Sequence, residues 1–460
     1  MLSERLFERF AQGSPVSVMV RATFENVCSS EALDALFEAH AQKQYERELL
    51  FSSAVDLLSL VVCGTRKSVH DAYQAAAEKF TVSVKAVYDK LNGVECPVSR
   101  ALVRQTAPRM ERLLHRLGGM SPPPVRGYRA KIVDGNHLPS TEHRLGVLRT
   151  TRRGPLPGQA LVVLEPELML ITDVFPCEDG HAQERSLLPE VLETVQHRDL
   201  WIADRNFCTT GFLLGIAQRK ACFLIRQHAS TLTWELVGKR HKAGRCDTGM
   251  VYEQAVRLTN GDGEELLIRR VTIVLDEPTR DGEREIHLLT NLPYEHAKPL
   301  KVAELYRRRW TVENAFQEVE QSLQSELRTL GYPPAALLAF CVALLTYNVL
   351  SVVKSALRAV HEKAAEPHTL SGYHLAAEIA AVYGGMMLAL PPEEWTRRFA
   401  ELDIASMART LKELAARVRI AQFKKHPRGP KKPKPKRTSG LVHHHVSTAR
   451  LIAAHKTATK

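Results

Sequence analysis

The sequence lacks the features that would tie it to a covalent framework, a metal ribbon or a membrane. Its eight cysteines (Cys28, Cys63, Cys96, Cys177, Cys208, Cys222, Cys246 and Cys341) are scattered without a Cys-x-x-Cys pair. That spacing argues against a zinc ribbon or a disulfide scaffold, and they read as reduced, mostly buried thiols of a cytosolic protein. The opening residues, MLSERLFERFAQGS, alternate charged and apolar side chains and lack the uninterrupted apolar core of a signal peptide. The most apolar run, Ala335 to Leu345, spans only eleven residues and is followed by Thr346, Asn348, Ser351 and Lys354. A bilayer needs about 20 apolar residues, so the run is expected to be a buried core helix, with no membrane partner. No internal repeat at a solenoid period is present.

What remains is ordinary globular composition: 460 residues, 44% hydrophobic and 25% charged, enough for two to four domains with real cores. The charge is less ordinary in its placement. Of a formal net charge of +12, eight positive charges fall in the acid-free stretch from Lys424 to Arg437, KKHPRGPKKPKPKR, which leaves +4 for the rest. Such a stretch is expected to be disordered and drawn to polyanions.

Pattern changes divide the chain. Residues 1–120 carry amphipathic helical stretches and end at Gly118, Gly119 and SPPPVRG. From 125 to 228 the signals alternate. YRAKIVDGNHL, QALVVLE and LMLITDVF read as strands, ERSLLPEVLETV as a helix, DLWIADRNF as a strand, TGFLLGIAQRK as a helix and CFLIRQ as a strand. This βββαβαβ order predicts an α/β fold, a mixed sheet flanked by helices. Residues 229–294 turn β-rich, with turns at Asn260-Gly261 and Asp281-Gly282, and suggest an inserted subdomain. Residues 295–362 return to helix, 363–421 form a further helical region suited to dimerisation, and 422–460 make the basic tail.

One helix carries more polar chemistry than folding requires. In LYRRRWTVENAFQEVEQ, spanning 305–321, Tyr306, Arg309, Glu313, Gln317 and Glu320 fall within an arc of roughly 80° at about 100° per residue. Leu305, Val312, Phe316, Val319 and Leu323 form an apolar stripe beside it. An Arg/Glu pair four residues apart is by itself an ordinary solvated interaction worth a few tenths of a kcal/mol. Asp134 and Asp204, however, each close an apolar strand at a polar turn, DGN and DRN. Asp is a common turn residue, but two such ends joined by a helical Glu make a constellation of Asp134, Asp204 and Glu313.

Three carboxylates in a low-dielectric site repel one another unless cations neutralise them. Hard divalent ions, Mg²⁺ or Mn²⁺, suit all-oxygen donors and phosphate chemistry, and a pair of them about 4 Å apart serves phosphoryl transfer. Arg309 can grip phosphate oxygens with its fork, and Tyr306 can donate a hydrogen bond. His137 and His143 near Asp134 invite a transition-metal reading, which the oxygen donors disfavour.

The residues quoted so far resemble those of DDE transposases from bacterial insertion sequences, in the hairpin-forming group with a Y-x2-R-x3-E-x6-K signature. Here that signature reads Tyr306, Arg309 and Glu313, with Glu320 where Lys is expected. The resemblance spans roughly residues 125–350 and includes ADRNF and the β-rich stretch before Glu313. It implies a ribonuclease-H-like catalytic domain, with Asp134, Asp204 and Glu313 holding two Mg²⁺ or Mn²⁺ ions. It further implies cleavage at element ends through a hairpin, joining of the 3′-OH to target DNA, and a synaptic homodimer acting in the bacterial cytoplasm at the nucleoid. By position, Tyr306 and Arg309 hold the DNA phosphate, with Arg226 and Arg205 as further DNA-binding candidates. Trp234 would stack on a flipped base, or else serve as a core or surface aromatic. Residues 1–120 would bind the element ends. Two other readings stay open: a metal-dependent nuclease that cuts without joining, and a decayed or domesticated DNA-binding copy, which Glu320 favours and the three retained acids disfavour.

Overall fold

The computed structural model describes residues 2–44, 48–228, 232–279, 281–325, 327–361, 370–425 and 445–458. Seven helices come first: α1 (Leu2–Gly13), α2 (Pro15–Val27), α3 (Ser30–His40), α4 (Phe51–Val62), α5 (Val69–Ala75), α6 (Val84–Gly93) and α7 (Cys96–Leu117). Proline opens α7, where its missing N–H is no loss, and Gly118 at φ +78° closes it in the left-handed conformation that glycine accepts most readily.

Eleven strands follow among the described residues: β1 (Arg129–His137), β2 (Gly154–Leu156), β3 (Gln159–Glu165), β4 (Leu170–Cys177), β5 (Asp199–Ala203), β6 (Cys222–Arg226), β7 (Thr233–Cys246), β8 (Gly249–Thr259), β9 (Glu265–Leu275), β10 (Glu285–Thr290) and β11 (His445–Ser447). Nine of them form one mixed sheet in the order β4-β3-β1-β5-β6-β10-β9-β8-β7. Within it β1, β5 and β6 run parallel, while β3 and β4 are antiparallel. The remaining helices are α8 (Leu188–Leu192), α9 (Thr210–Gln218), α10 (Pro299–Arg307), α11 (Trp310–Ser322), α12 (Pro333–Val360), α13 (Gly372–Ala389), α14 (Pro392–Trp395), α15 (Ile404–Ala416) and α16 (Thr448–Ala458).

One sheet face packs on α7 and α12, and the other carries a separate core of Trp201, Phe207, Phe212 and Phe223 under α8 and α9. Helix α12 starts with two prolines and is apolar on every side. By length and composition it could cross a membrane, but its apolar window lies wholly inside the protein, against α2, α4, α6, α7 and α15.

Four sequence expectations need correction. Among the described residues, the helices of the 1–120 region share a core with α12: Val18, Leu58, Leu91 and Leu102 join Leu344 and Leu350 in one cluster. The β-rich stretch is not a separate inserted sheet, because β10 pairs antiparallel with β6 and extends the central sheet outward, with Leu289 opposite Ile225. Its outermost strand, β7, went unread because TWELVGKRHKAGRC has no clean alternation, and two register shifts interrupt its pairing with β8. The third correction concerns 422–460. Its basic residues from 426 to 444 lie outside the described residues, but 445–447 pairs in parallel with β2 and 448–458 is helical, so the expected disordered tail does not extend over 445–458.

The fourth correction falls on the polar helix. The stretch 305–321 is two helices, α10 and α11, joined at Arg308 and Arg309. There the amides of Arg308, Arg309, Thr311 and Val312 bond three residues back, to Leu305, Tyr306, Arg308 and Arg309. This tighter winding shifts the faces relative to an unbroken α-helix.

Candidate active site

The site grows from the parallel pairing of β1 and β5. Their register sets Ile132 opposite Ile202. Asp134 lies two residues beyond this pair on β1 and Asp204 directly follows β5, near enough for its charge to act on the Asp134 carboxyl. Ile132 and Val133 are buried, and so are Trp201 to Ala203, so both acids emerge where the apolar core ends. Each is steadied by its own turn. The Gly135 amide donates to Asp134 Oδ1 at 3.1 Å, and the Asn206 amide donates to Asp204 Oδ1 at 2.7 Å.

The third acid arrives with the α10–α11 junction. Arg309, the residue before α11, donates from Nη1 to Asp134 Oδ2 at 3.0 Å and from Nη2 to Glu313 Oε1 at 2.6 Å. One guanidinium thus joins the strand acid to the helix acid. Glu313 also lies in the first turn of α11, where the helix dipole favours a negative charge. The tighter winding at Arg308 and Arg309 accompanies this placement.

Electrostatics agree with a crowded acidic site. Burial raises the Asp134 carboxyl to about 7, and the charges of Asp204 and Glu313 add to the rise while Arg309 opposes it. Burial outweighs the ion pair here because the Asp134 side chain is only 16% exposed, whereas Glu313 remains 42% exposed. Burial likewise pushes the Tyr306 phenol up to about 12, against the pull of Arg309 and Arg226, so it stays protonated and able to donate. Burial works against the charge of Arg309, but Asp134 and its other partners hold its guanidinium above the ordinary value.

The other sequence candidates separate. Arg205 and Arg226 both pair with Glu283, Arg205 at 3.3 Å, so the tip of the β9–β10 hairpin lies beside the Asp204 turn. Trp234 sits half-buried on edge strand β7, opposite Leu258 and packed on the second core, with the Arg270 guanidinium 5.0 Å from its ring centre. No contact joins Trp234 to the three acids among the described residues. His143 is exposed, and its Nε2 lies 3.1 Å from the Arg153 carbonyl oxygen. Glu320 is exposed near the far end of α11.

Two acids escaped the sequence reading. Glu283 neutralises two candidate phosphate binders, and Glu184 accepts from Asn206 Nδ2 at 3.2 Å. The Arg185 Nε also donates to the Asn206 carbonyl at 2.8 Å, so the 184–185 turn clamps the residue whose amide holds Asp204. Gly135 leaves room for this: a Cβ there would run into the Glu184 carboxylate. The DGN motif was the visible signal of that approach, but it named no partner.

Among the described residues no group of three or more His, Cys, Asp and Glu side chains converges on a metal position. The donors are nonetheless of the right kind. Asp134, Asp204 and Glu313 offer hard oxygens, and the Asp134 carboxyl, raised by burial and further by the two other acids, is one whose charge a cation would stabilise. In this arrangement Arg309 supplies that cation.

Residues 128–349 match the family model of the transposase DDE domain. The matched segment contains Asp134, Asp204 and Glu313. No curated protein matches the chain. Among solved structures, the chain is similar to a piggyBac transposase in a cryo-EM synaptic complex with hairpin DNA, at 10% identity and a TM-score of 0.40, covering 86% of this chain and 87% of that one.

Proposed function

We propose that the chain is a metal-dependent DNA transposase that cuts at the ends of an insertion sequence and joins the freed 3′-OH ends to target DNA. The observation that supports this reading is the link that Arg309 makes between Asp134 on β1 and Glu313 in the first turn of α11, with Asp204 near enough to act on the Asp134 carboxyl, inside the segment that matches the transposase DDE domain family model. The strand order β4-β3-β1-β5-β6, with the last three parallel, supports a ribonuclease-H-like catalytic core. The Tyr306, Arg309, Glu313 spacing supports the hairpin-forming, bacterial insertion-sequence type. Synaptic pairing of two copies and action at the bacterial nucleoid belong to the same proposal.

In this reading Asp134, Asp204 and Glu313 would hold Mg²⁺ or Mn²⁺ ions. Two such ions, when bound, supply activation of the attacking oxygen and stabilisation of the leaving one. The chain's own residues do the rest. Asp134 would hold such an ion as its carboxylate, any proton on it passing to solvent. Arg309, free to leave the two carboxylates, turns its fork to a phosphate, and the protonated Tyr306 donates its O–H to the same phosphodiester. Burial keeps bulk water from screening these contacts.

The test uses the DNA flanking the reading frame as substrate. Mg²⁺-dependent cleavage at inverted repeats, followed by joining of pre-cleaved ends to a second duplex, is the expected result. Cleavage without joining would convert the protein to a nuclease. End binding without cleavage would support the decayed copy that Glu320 in the lysine position favours.

A further inference from the structure

The loop between β1 and β2 is a folded shelf. Its Thr141 amide donates to the Pro155 carbonyl at 3.0 Å, and its Glu142 amide donates to the Arg328 carbonyl at 2.9 Å. Leu148 is fully buried, Leu145 packs against Gly331, and α16 covers residues 146–148. On this shelf Arg149, Arg152 and Arg153 are exposed, and none has an ion-pair partner among the described residues; exposed Arg328 next to it is alike. Arg144, by contrast, is satisfied by Glu142 at 2.6 Å.

Three like charges within five residues repel one another, and a fixed platform prevents them from spreading apart. Such an arrangement is favourable only against a polyanion. Duplex DNA presents one negative charge per about 1.7 Å of axis, which matches closely spaced guanidiniums. The intervening Thr150 and Thr151 are phosphate-contacting types, and contacts to phosphates alone carry no sequence information, as a target of arbitrary sequence requires. The shelf is continuous with two of the three acid-bearing elements: it follows β1, and Arg328 follows α11, whose end at Ser322 lies about 14 Å along the axis from Glu313 at about 1.5 Å per residue.

We infer that this shelf grips the phosphates of target DNA, a duplex of arbitrary sequence, beside the three acids. The inference rests on the transposase reading and deepens it by assigning the target-binding surface. The test compares the full chain with a variant carrying Arg149→Ala, Arg152→Ala and Arg153→Ala, and with a second in which all three are Lys. Fluorescence anisotropy with a random-sequence duplex is titrated with KCl. Each phosphate contact contributes about 0.9 to the log–log salt slope, so the alanine variant should lose up to about 2.7 of slope and at least about tenfold in affinity at 0.1 M salt. The lysine variant should keep the slope. Joining of pre-cleaved ends to target should fall in step, while end cleavage and the thermal unfolding midpoint stay unchanged.

A wild-type slope and wild-type joining in the alanine variant would overturn the inference while leaving the transposase reading intact. If the wild-type chain neither cleaves nor joins, the transposase reading fails. In that case the salt-slope comparison still decides separately whether the shelf binds duplex DNA.

Discussion

Arginines meet two opposite fates in this molecule. Those beside the acids are all engaged: Arg309 bridges Asp134 and Glu313, and Arg205 and Arg226 share Glu283. Those on the β1–β2 shelf, Arg149, Arg152 and Arg153, have no ion-pair partner among the described residues. The difference teaches that a basic residue near an active site is not automatically available to substrate. At the acids, a phosphate or a metal must first displace an existing ion pair; on the shelf, a phosphate displaces only water.

The harshest way to break this comparison is to remove the charge that the inner arginine answers. Asp134→Asn, Asp204→Asn and Glu313→Gln each keep shape and lose a negative ligand. Each is expected to lower Mg²⁺-dependent cleavage by about 10³-fold or more, with duplex binding retained. Gel-resolved cleavage of end DNA measures it, and near-normal cleavage by any one variant would remove that residue from the set.

Next in size is Arg309 itself. Arg309→Ala should lower cleavage by about 10²-fold, the scale of losing one positioned charge-stabilising donor. It should do the opposite to metal: with the guanidinium gone, Mn²⁺ should bind the DNA-free protein more tightly, as followed by electron paramagnetic resonance of free Mn²⁺. Unchanged Mn²⁺ affinity would mean that Arg309 does not occupy the cation's place. Arg309→Lys should rescue little cleavage, because a single ammonium cannot grip a pair of phosphate oxygens as the fork does.

Proton linkage sharpens the same point more gently. The Asp134 carboxyl, raised to about 7 by burial, competes with a metal for its oxygens. Mn²⁺ affinity of the DNA-free protein should therefore rise by up to about tenfold per pH unit below 7 and level off above it. The stability effect has the opposite sign. A carboxyl whose folded value exceeds its unfolded value stabilises the fold at low pH and loses that contribution as pH rises through about 7. Asp134→Asn should flatten both profiles. A pH-independent Mn²⁺ affinity in the wild-type chain would show that Asp134 is not a ligand.

What the sequence revealed and what it hid divide along the range of interaction. Asp134 and Asp204 were legible because an apolar run followed by Asp-Gly-Asn or Asp-Arg-Asn is a local statement about where a strand ends. Glu313 was legible because helical spacing tied it to Arg309. Glu283 was not, since its partners Arg205 and Arg226 lie 78 and 57 residues away and meet it only when β10 pairs with β6. Strand β7 lacks a clean alternation and pairs along the edge that β8 offers, while β11 is a three-residue strand paired with β2. The break at Arg308 and Arg309 accompanies the bond of Arg309 to Asp134, 175 residues away, which no periodicity encodes.

The smallest effect is expected at Glu320, where the resemblance would place a lysine. Glu320 lies seven residues beyond Glu313, about 10 Å along α11, which is long for sharing one cation. It lines a crevice of about 540 Å³ with Cys63 and Gly64 after α4, Tyr373 and Ala376 of α13, and Arg328. Its carboxylate therefore faces the helical side of the molecule and the neighbourhood of the shelf, and it repels a phosphate there without touching the acids. Glu320→Lys should change cleavage at saturating DNA by less than about twofold. It should tighten duplex binding a few-fold and steepen the salt slope by up to about 0.9 if the new ammonium meets a phosphate. Glu320→Ala should move binding the same way by less. A loss of cleavage beyond tenfold in both variants, with folding and binding intact, would instead make Glu320 part of the catalytic machinery and erase the distinction between the engaged interior and the open shelf.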